Sequence, residues 1–176
     1  MQRFRTAAIA FLVAAFTVAA YAQAPTKPAT KPATHPVTHS VAHGAPMVNA
    51  SDLKWGPAPP AFNAGAQMAV VDGDPSKPGP FVIRAKFPAG FKVMPHWHPT
   101  DENVTVISGT LTAGMGEKWD DAAMKTFTAG AFARMPKRTA HYVQAKEETI
   151  VQVHGTGPFT LTYVNPNDDP RKKKTQ

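Results

Sequence analysis

The chain has 176 residues, with 19 Lys and Arg against 12 Asp and Glu, a net charge of +7 and no cysteine. This length fits one domain, and the missing thiols exclude disulfides, thiolate zinc sites and cysteine nucleophiles. The positive charge does not indicate a nucleic-acid-binding domain, because residues 48–170 carry 11 Lys and Arg against 12 Asp and Glu and show no basic face with interleaved aromatic residues.

Residues 1–22 have the three regions of a secretory signal peptide. A cationic start precedes an apolar stretch over residues 6–20, and small residues end at a cleavage site after Ala22. The apolar stretch is shorter than the roughly 20 residues that span a bilayer, so we expect cleavage and no stable membrane insertion, and an uncleaved anchor is the alternative. The mature protein is therefore expected to be periplasmic or secreted.

Residues 23–47 form a degenerate four-residue repeat of Lys or His, Pro, Ala or Val, and Thr. Prolines keep such a segment extended and its few apolar residues cannot order it, so we predict a disordered linker. His35, His39 and His43 recur within it, but proline prevents the helix that would align the imidazoles. A solvated spacer is therefore favoured over a loose metal-binding tract. At the other end, residues 171–176 are predicted to form a basic tail.

Residues 48–170 are predicted to form one all-β domain. Short runs that alternate apolar and polar residues are separated by Gly, Pro and Asp turns, and none of these runs sustains a helical period. The predicted strands are Gln67–Val71, Phe81–Phe87, Phe91–His98, Asn103–Ile107, Thr110–Met115, Lys125–Thr128, Ala131–Met135, His141–Ala145, Thr149–His154 and Phe159–Val164. Many short strands at close spacing are typical of an antiparallel sandwich or small barrel.

Histidines within this β region form the candidate site. His96 and His98 are two residues apart on one predicted strand, so their side chains share a face, and Glu102 follows after a short turn. His141 opens a later strand. Three imidazole nitrogens and one carboxylate oxygen suit a divalent transition metal. Asp101 is an alternative carboxylate ligand.

Two motifs around these residues resemble those of the cupin superfamily. They read Gly90-(five residues)-His96-Trp97-His98-(three)-Glu102-(six)-Gly109 and Gly130-(five)-Pro136-Lys137-Arg138-(two)-His141. The resemblance covers residues 48–170 and implies a double-stranded β-helix, an antiparallel jelly-roll barrel. It also implies four metal ligands, with Glu102 favoured over Asp101: His96, His98, Glu102 and His141.

Two positions depart from the second cupin motif. Arg138 stands where the motif has glycine, and Ala145 where it has asparagine. Because a non-glycine residue does not easily take a positive φ, the turn before His141 is expected to differ in shape. Lys137 and Arg138 could guide an anion at the barrel mouth, although a solvated turn is favoured.

Strand alternation predicts a mostly apolar pocket around the metal, which suits a small organic ligand. The side chains predicted to line it with the ligands are Met94, Val104, Val106 and Val143. His154 is the candidate for an additional polar group and catalytic base, although a histidine at the end of a strand is usually structural. Trp97 points opposite to its neighbours and is predicted to pack in the core or in a homodimer.

Two functions are compatible with such a site. The first is a metal-dependent enzyme, in which Fe, Mn, Ni or Cu would suit oxygen chemistry and Zn a Lewis-acid or structural role. Since an isomerase or lyase needs a protein base and His154 is the one nominee, oxygenase-type chemistry is favoured. The second is a non-catalytic module that binds metal and a small ligand or acts as a sensor.

Overall fold

The computed structural model describes residues 46–172. The predicted signal peptide, nearly all of the predicted linker and residues 173–176 of the predicted tail lie outside the described residues. Within 46–172, 3₁₀ helices occur at Ala50–Asp52, Asp121–Ala123, Pro166–Asp168 and Pro170–Lys172. None of the helices in this range has the length and apolar character to cross a membrane.

Strands make up about half of the described chain. They are β1 (Gly56–Pro57), β2 (Gln67–Gly73), β3 (Gly79–Phe87), β4 (Lys92–Trp97), β5 (Glu102–Ser108), β6 (Thr110–Met115), β7 (Lys125–Thr128), β8 (Phe132–Met135), β9 (His141–Ala145), β10 (Thr149–Gly157) and β11 (Thr162–Tyr163). They form two antiparallel sheets, in the order β1-β2-β3-β10-β5-β8 and β11-β4-β9-β6-β7. The predicted all-β jelly roll is confirmed.

The last predicted strand is the one that differs most from the structure. Phe159–Val164 contracts to the two residues of β11, because the backbone before it bonds to other segments. The Phe159 N–H donates to the Pro75 carbonyl at 2.7 Å, and the Leu161 carbonyl accepts from Arg171 at 3.2 Å. These groups are therefore not available to a strand ladder.

A hydrophobic core lies between the two sheets. Phe81 and Ile83 of β3 and Val151 and Val153 of β10 are at most 6% exposed, and they belong to one cluster with Leu111 of the other sheet. Burying each such side chain contributes roughly 1.5–3 kcal/mol. Ile83, Val151 and Val153 also favour strands, because their β-branched side chains pack well on the pleated surface of a sheet.

An irregularity in β4 decides which of its side chains face inward. Its register with β9 shifts between Val93 and His96, so these two residues, three apart, both line the interior cavity. Met94, which lies between them, is not among the residues that line this cavity. The prediction that Met94 shares the face of His96 is wrong, because an extra residue in a strand resets its alternation.

Candidate metal centre

Three histidines converge on one point inside the barrel. His96 lies on β4, His98 follows this strand directly, and His141 begins β9 opposite His96 in the ladder. One ligand atom from each residue lies within 4.8 Å of the others. All three residues are buried, with at most 4% of their surface exposed. This arrangement could hold a metal ion.

The second nitrogen of each ring fixes the orientation of that ring. The Nδ1 atoms of His96, His98 and His141 lie 2.8, 2.8 and 3.1 Å from the carbonyl oxygens of Met94, Thr160 and Thr139, respectively. Because a carbonyl only accepts, Nδ1 carries the proton in each case and donates it. This is the usual support of a metal-ligating imidazole, since it directs the Nε2 lone pair toward the ion.

The Nε2 atom of His98 tests whether these residues fit a metal. It is buried and has no hydrogen-bond partner among the described residues, which costs roughly 1–3 kcal/mol for a neutral polar atom. Burial lowers the pKa of His98, and it lowers that of His96 well below the ordinary value, with His141 and His98 adding to the effect. Both rings are therefore neutral at pH 7 and able to donate a lone pair to a cation.

Glu102 lies beside these histidines at the start of β5. Its Oε2 is 3.1 Å from Nε2 of His141 and 3.5 Å from Nε2 of His98. Burial acts to raise the pKa of this carboxyl, but its interactions with His141 and with the other two histidines outweigh burial and lower the pKa to about 2. The carboxylate is thus ionised and close to two of the three Nε2 atoms. Its role as a fourth ligand stays a prediction.

Asp101, the alternative ligand, is engaged outside the cavity. Its carboxylate accepts hydrogen bonds from the backbone N–H of Lys137, at 2.8 Å, and from the guanidinium of Arg134. Asp101 therefore ties the turn before His141 to the segment between β4 and β5. Lys137 and Arg138, considered as an anion guide, are exposed and do not line the cavity.

The turn before His141 keeps a glycine-like backbone despite Arg138. This residue has φ = 58°, the one positive φ among the non-glycine residues of 46–172. Its N–H donates to the carbonyl of His98 at 2.8 Å, and this bond holds the left-handed conformation in place. The premise that arginine would avoid a positive φ in this turn is therefore wrong.

Replacing Arg138 by glycine is expected to raise the free energy of unfolding by about 0.5–1 kcal/mol. A left-handed backbone costs an L-residue roughly 1–2 kcal/mol, and the greater freedom of glycine in the unfolded chain offsets part of that gain. Urea denaturation measures the change. Lys137→Gly is the matched control, because Lys137 is exposed in the same turn without a positive φ. An equal gain in both variants would contradict the explanation.

The histidines open onto a cavity of about 320 Å³. Its walls are mostly apolar and include Val104 and Val143, as alternation predicted, together with Phe87. Val106, which was also predicted to line the cavity, is not part of its wall and packs in the core cluster. Phe159 stacks on the ring of His98, with centroids 4.2 Å apart and planes inclined by 15°. The cavity is therefore an apolar chamber with the polar cluster set into its wall, a composition that suits a small organic ligand.

His154 lies outside this cavity. It is exposed on the outer face of β10, whereas Val151 and Val153 of the same strand line the cavity. The strand also runs on to Gly157 instead of ending at His154. The prediction that His154 supplies a polar group or a base in the pocket is corrected, because alternation from Val153 directs it to solvent.

Arg171 is the cavity residue that sequence reasoning missed, since it was assigned to the basic tail. It lines the cavity from the 3₁₀ helix Pro170–Lys172, and its guanidinium pairs with Asp169 at 2.8 Å. The signal for this docking is the turn-forming composition of residues 165–170, Asn-Pro-Asn-Asp-Asp-Pro, which predicts a folded turn before the basic residues.

Comparisons with known proteins give one family match. Residues 8–162 match the model of a family described as a domain of unknown function, DUF4437. No curated protein matches the sequence.

Solved structures share the fold at low sequence identity. The polyketide cyclase RemF from Streptomyces resistomycificus is 13% identical with a TM-score of 0.59, over 70% of this chain and 88% of that one. A proposed acetylacetone dioxygenase from Methylibium petroleiphilum PM1 is 21% identical with a TM-score of 0.54, over 70% and 83%. An RmlC-like cupin from Ralstonia eutropha JMP134 is 20% identical with a TM-score of 0.53, over 70% and 74%. At these identities the likeness concerns the fold.

Proposed function

The chain belongs to the family described as a domain of unknown function, DUF4437, and on this premise we propose that it is a metal-dependent cupin acting on a small organic molecule. The cupin jelly roll is shared with the solved structures. The observation that carries the proposal is the convergence of three buried imidazoles, each with its Nδ1 bonded to a backbone carbonyl. The bound ion would be Fe, Mn, Ni, Cu or Zn, all of which accept imidazole ligands.

We further propose that Glu102 completes the ligand set with His96, His98 and His141. Its Oε2 lies within 3.5 Å of two Nε2 atoms, and its charge would offset part of that of a divalent cation. Aliphatic and aromatic side chains surround the cluster, and an apolar surround strengthens the attraction between the carboxylate and the cation. A ligand would meet the ion on the side that faces the cavity.

The reaction class we favour is oxygenase-type. A redox-active ion bound here would supply oxygen chemistry, whereas zinc would supply Lewis-acid chemistry. Apart from the four proposed ligands, Arg171 is the one titratable residue in the described lining of the cavity. Its guanidinium stays protonated and is a poor base. An isomerase or lyase would need a base that these residues do not provide. The apolar walls would orient the substrate and exclude bulk water.

Oxygen consumption tests this function. Metal-reconstituted protein is expected to consume dioxygen with at least one member of a panel of aromatic, thiol and diketone substrates. Mutation of a residue that supports a metal ligand lowers activity roughly 10–100-fold. His96→Ala removes a proposed ligand itself, so its rate of oxygen consumption is expected to fall by more than this. His154→Ala, on the outer face, is expected to retain the wild-type rate. Consumption that is equal in all three proteins would contradict the proposed site.

A second function, a non-catalytic module that binds metal and a small ligand, is favoured by the same scarcity of acid and base groups. Such a module needs only the ion and the apolar cavity. Stoichiometric metal without turnover on any substrate of the panel, combined with binding of small apolar molecules, would favour it over the enzyme.

A further inference from the structure

We propose that Arg171 recognises an anionic group, so that the cavity takes a small apolar organic molecule bearing one carboxylate. This inference rests on the proposed function, since it names the class of ligand for the same cavity. Outside the metal cluster, Arg171 is the one charged side chain in the described lining. Its side chain is 44% exposed to solvent, so it can meet the charged end of a ligand whose apolar part lies in the cavity and so fix the orientation of that ligand.

The guanidinium is held in place and keeps donors to spare. Nε donates to Oδ1 of Asp169 and Nη2 to Oδ2, both at 2.8 Å, and Nη2 also donates to the Leu161 carbonyl at 3.2 Å. Arginine has five N–H donors, so the two on Nη1 have no partner among residues 46–172. A prearranged guanidinium loses little conformational freedom when it binds a carboxylate.

The backbone that holds Arg171 also holds the metal cluster. The Thr160 carbonyl accepts from Nδ1 of His98, and the carbonyl of the next residue, Leu161, accepts from Arg171. Phe159, directly before them, stacks on the His98 ring. Three consecutive residues thus contact either a proposed ligand or the guanidinium, and His98 and Arg171 both line the cavity.

The charges favour a monoanion. Asp169 is 7% exposed, and the side-chain hydrogen bond with Arg171 lowers the pKa of its carboxyl, so this pair is neutral as a whole. The two N–H donors left on Nη1 can pair with one further carboxylate, and this charge-assisted contact does not depend on a metal ion.

Matched neutral and anionic probes test the proposal. The carboxylates benzoate, phenylacetate and 3-phenylpropanoate are compared by calorimetry with their amides, which have nearly the same shape without the charge. Wild-type protein is expected to bind at least one carboxylate about 10-fold more tightly than its amide, the scale of a charge-assisted hydrogen bond. Arg171→Gln is expected to reduce that ratio to about 3-fold or less. Lys172→Gln removes the same charge from an exposed neighbour and is expected to leave the ratio unchanged.

The same titrations on metal-free protein separate this proposal from the proposed function. A preference that persists without metal and disappears in Arg171→Gln supports recognition by Arg171, even if elemental analysis shows that the wild-type protein binds no metal. A preference that Arg171→Gln retains in full overturns the proposal, because the ion or another group then selects the carboxylate. No preference in the wild-type protein overturns it as well.

Discussion

Replacing His98 by alanine is expected to weaken metal affinity at the proposed site by at least about 100-fold. His98 offers a buried Nε2 without a hydrogen-bond partner on a ring that the Thr160 carbonyl orients. Mutation of a residue that only supports a metal ligand lowers metal affinity roughly 10–100-fold. Loss of the ligand itself is therefore expected to lower metal affinity by more. Elemental analysis of the purified protein and competition with a chelator measure the change.

His154→Ala is the matched control for this experiment. It removes the same side chain from the outer face of the barrel, where His154 is exposed, and it is expected to keep the wild-type metal content. Circular dichroism of both variants in the presence of chelator shows whether the fold is kept. Equal metal content in His98→Ala and the wild-type protein would contradict the assignment of the site.

The sequence was sufficient to predict the all-β jelly roll and the residues that meet at the candidate site. Alternation is reliable along regular strands, because successive side chains point to opposite faces. It therefore placed Val104 and Val143 correctly in the cavity wall. It failed at Met94, where the register of β4 and β9 shifts, since a bulge depends on the partner strand and leaves no clear mark in one strand's own sequence.

Long-range contacts account for the other differences. Arg138 takes a positive φ because its N–H reaches the carbonyl of His98, 40 residues earlier in the chain. Arg171 lines the cavity because Asp169 and the Leu161 carbonyl hold it there. The groups that bond to Arg138 and Arg171 could not be identified from local composition. From composition alone, Arg138 was a departure from the glycine of the motif and Arg171 was part of a basic tail.

The position of His154 shows a third source of error. The sequence places a histidine near the end of an apolar run, and chemistry alone makes it an attractive base. The strand continues to Gly157, and the inward positions belong to Val151 and Val153. Which face of a strand looks into a cavity depends on the packing of the opposite sheet, so the residue type could not decide it.

The metal-free protein is expected to lose stability as the pH falls below about 6.5, the ordinary pKa of histidine. Burial lowers the pKa of His96 and His98 in the folded state. Below pH 6.5 the unfolded chain therefore binds protons at these residues that the folded chain does not, and the equilibrium shifts toward unfolding. The slope is at most about 1.4 kcal/mol per pH unit for each histidine.

Glu102 extends the same trend to lower pH. Its folded-state pKa of about 2 lies below the ordinary value of 4.5, so its stabilising contribution is present above pH 4.5 and is lost as the pH falls toward 2. On acidification, the loss of stability due to the histidines should therefore come first, below about pH 6.5, and the loss due to Glu102 should come second, below about pH 4.5. Both losses come from groups of one cluster, so they are expected to be coupled and not strictly additive.

Urea denaturation in the presence of chelator, from about pH 8 to about pH 5, measures the loss of stability due to the histidines. A double variant with His96 and His98 replaced by alanine is expected to show a shallower pH dependence, whereas His154→Ala is expected to keep the wild-type slope because its side chain is exposed. Stability that is constant over this range would contradict the assignment of neutral, buried imidazoles. Since protons and a metal ion compete for the same Nε2 atoms, added metal is expected to shift the onset of destabilisation to lower pH in the wild-type protein and not in the double variant.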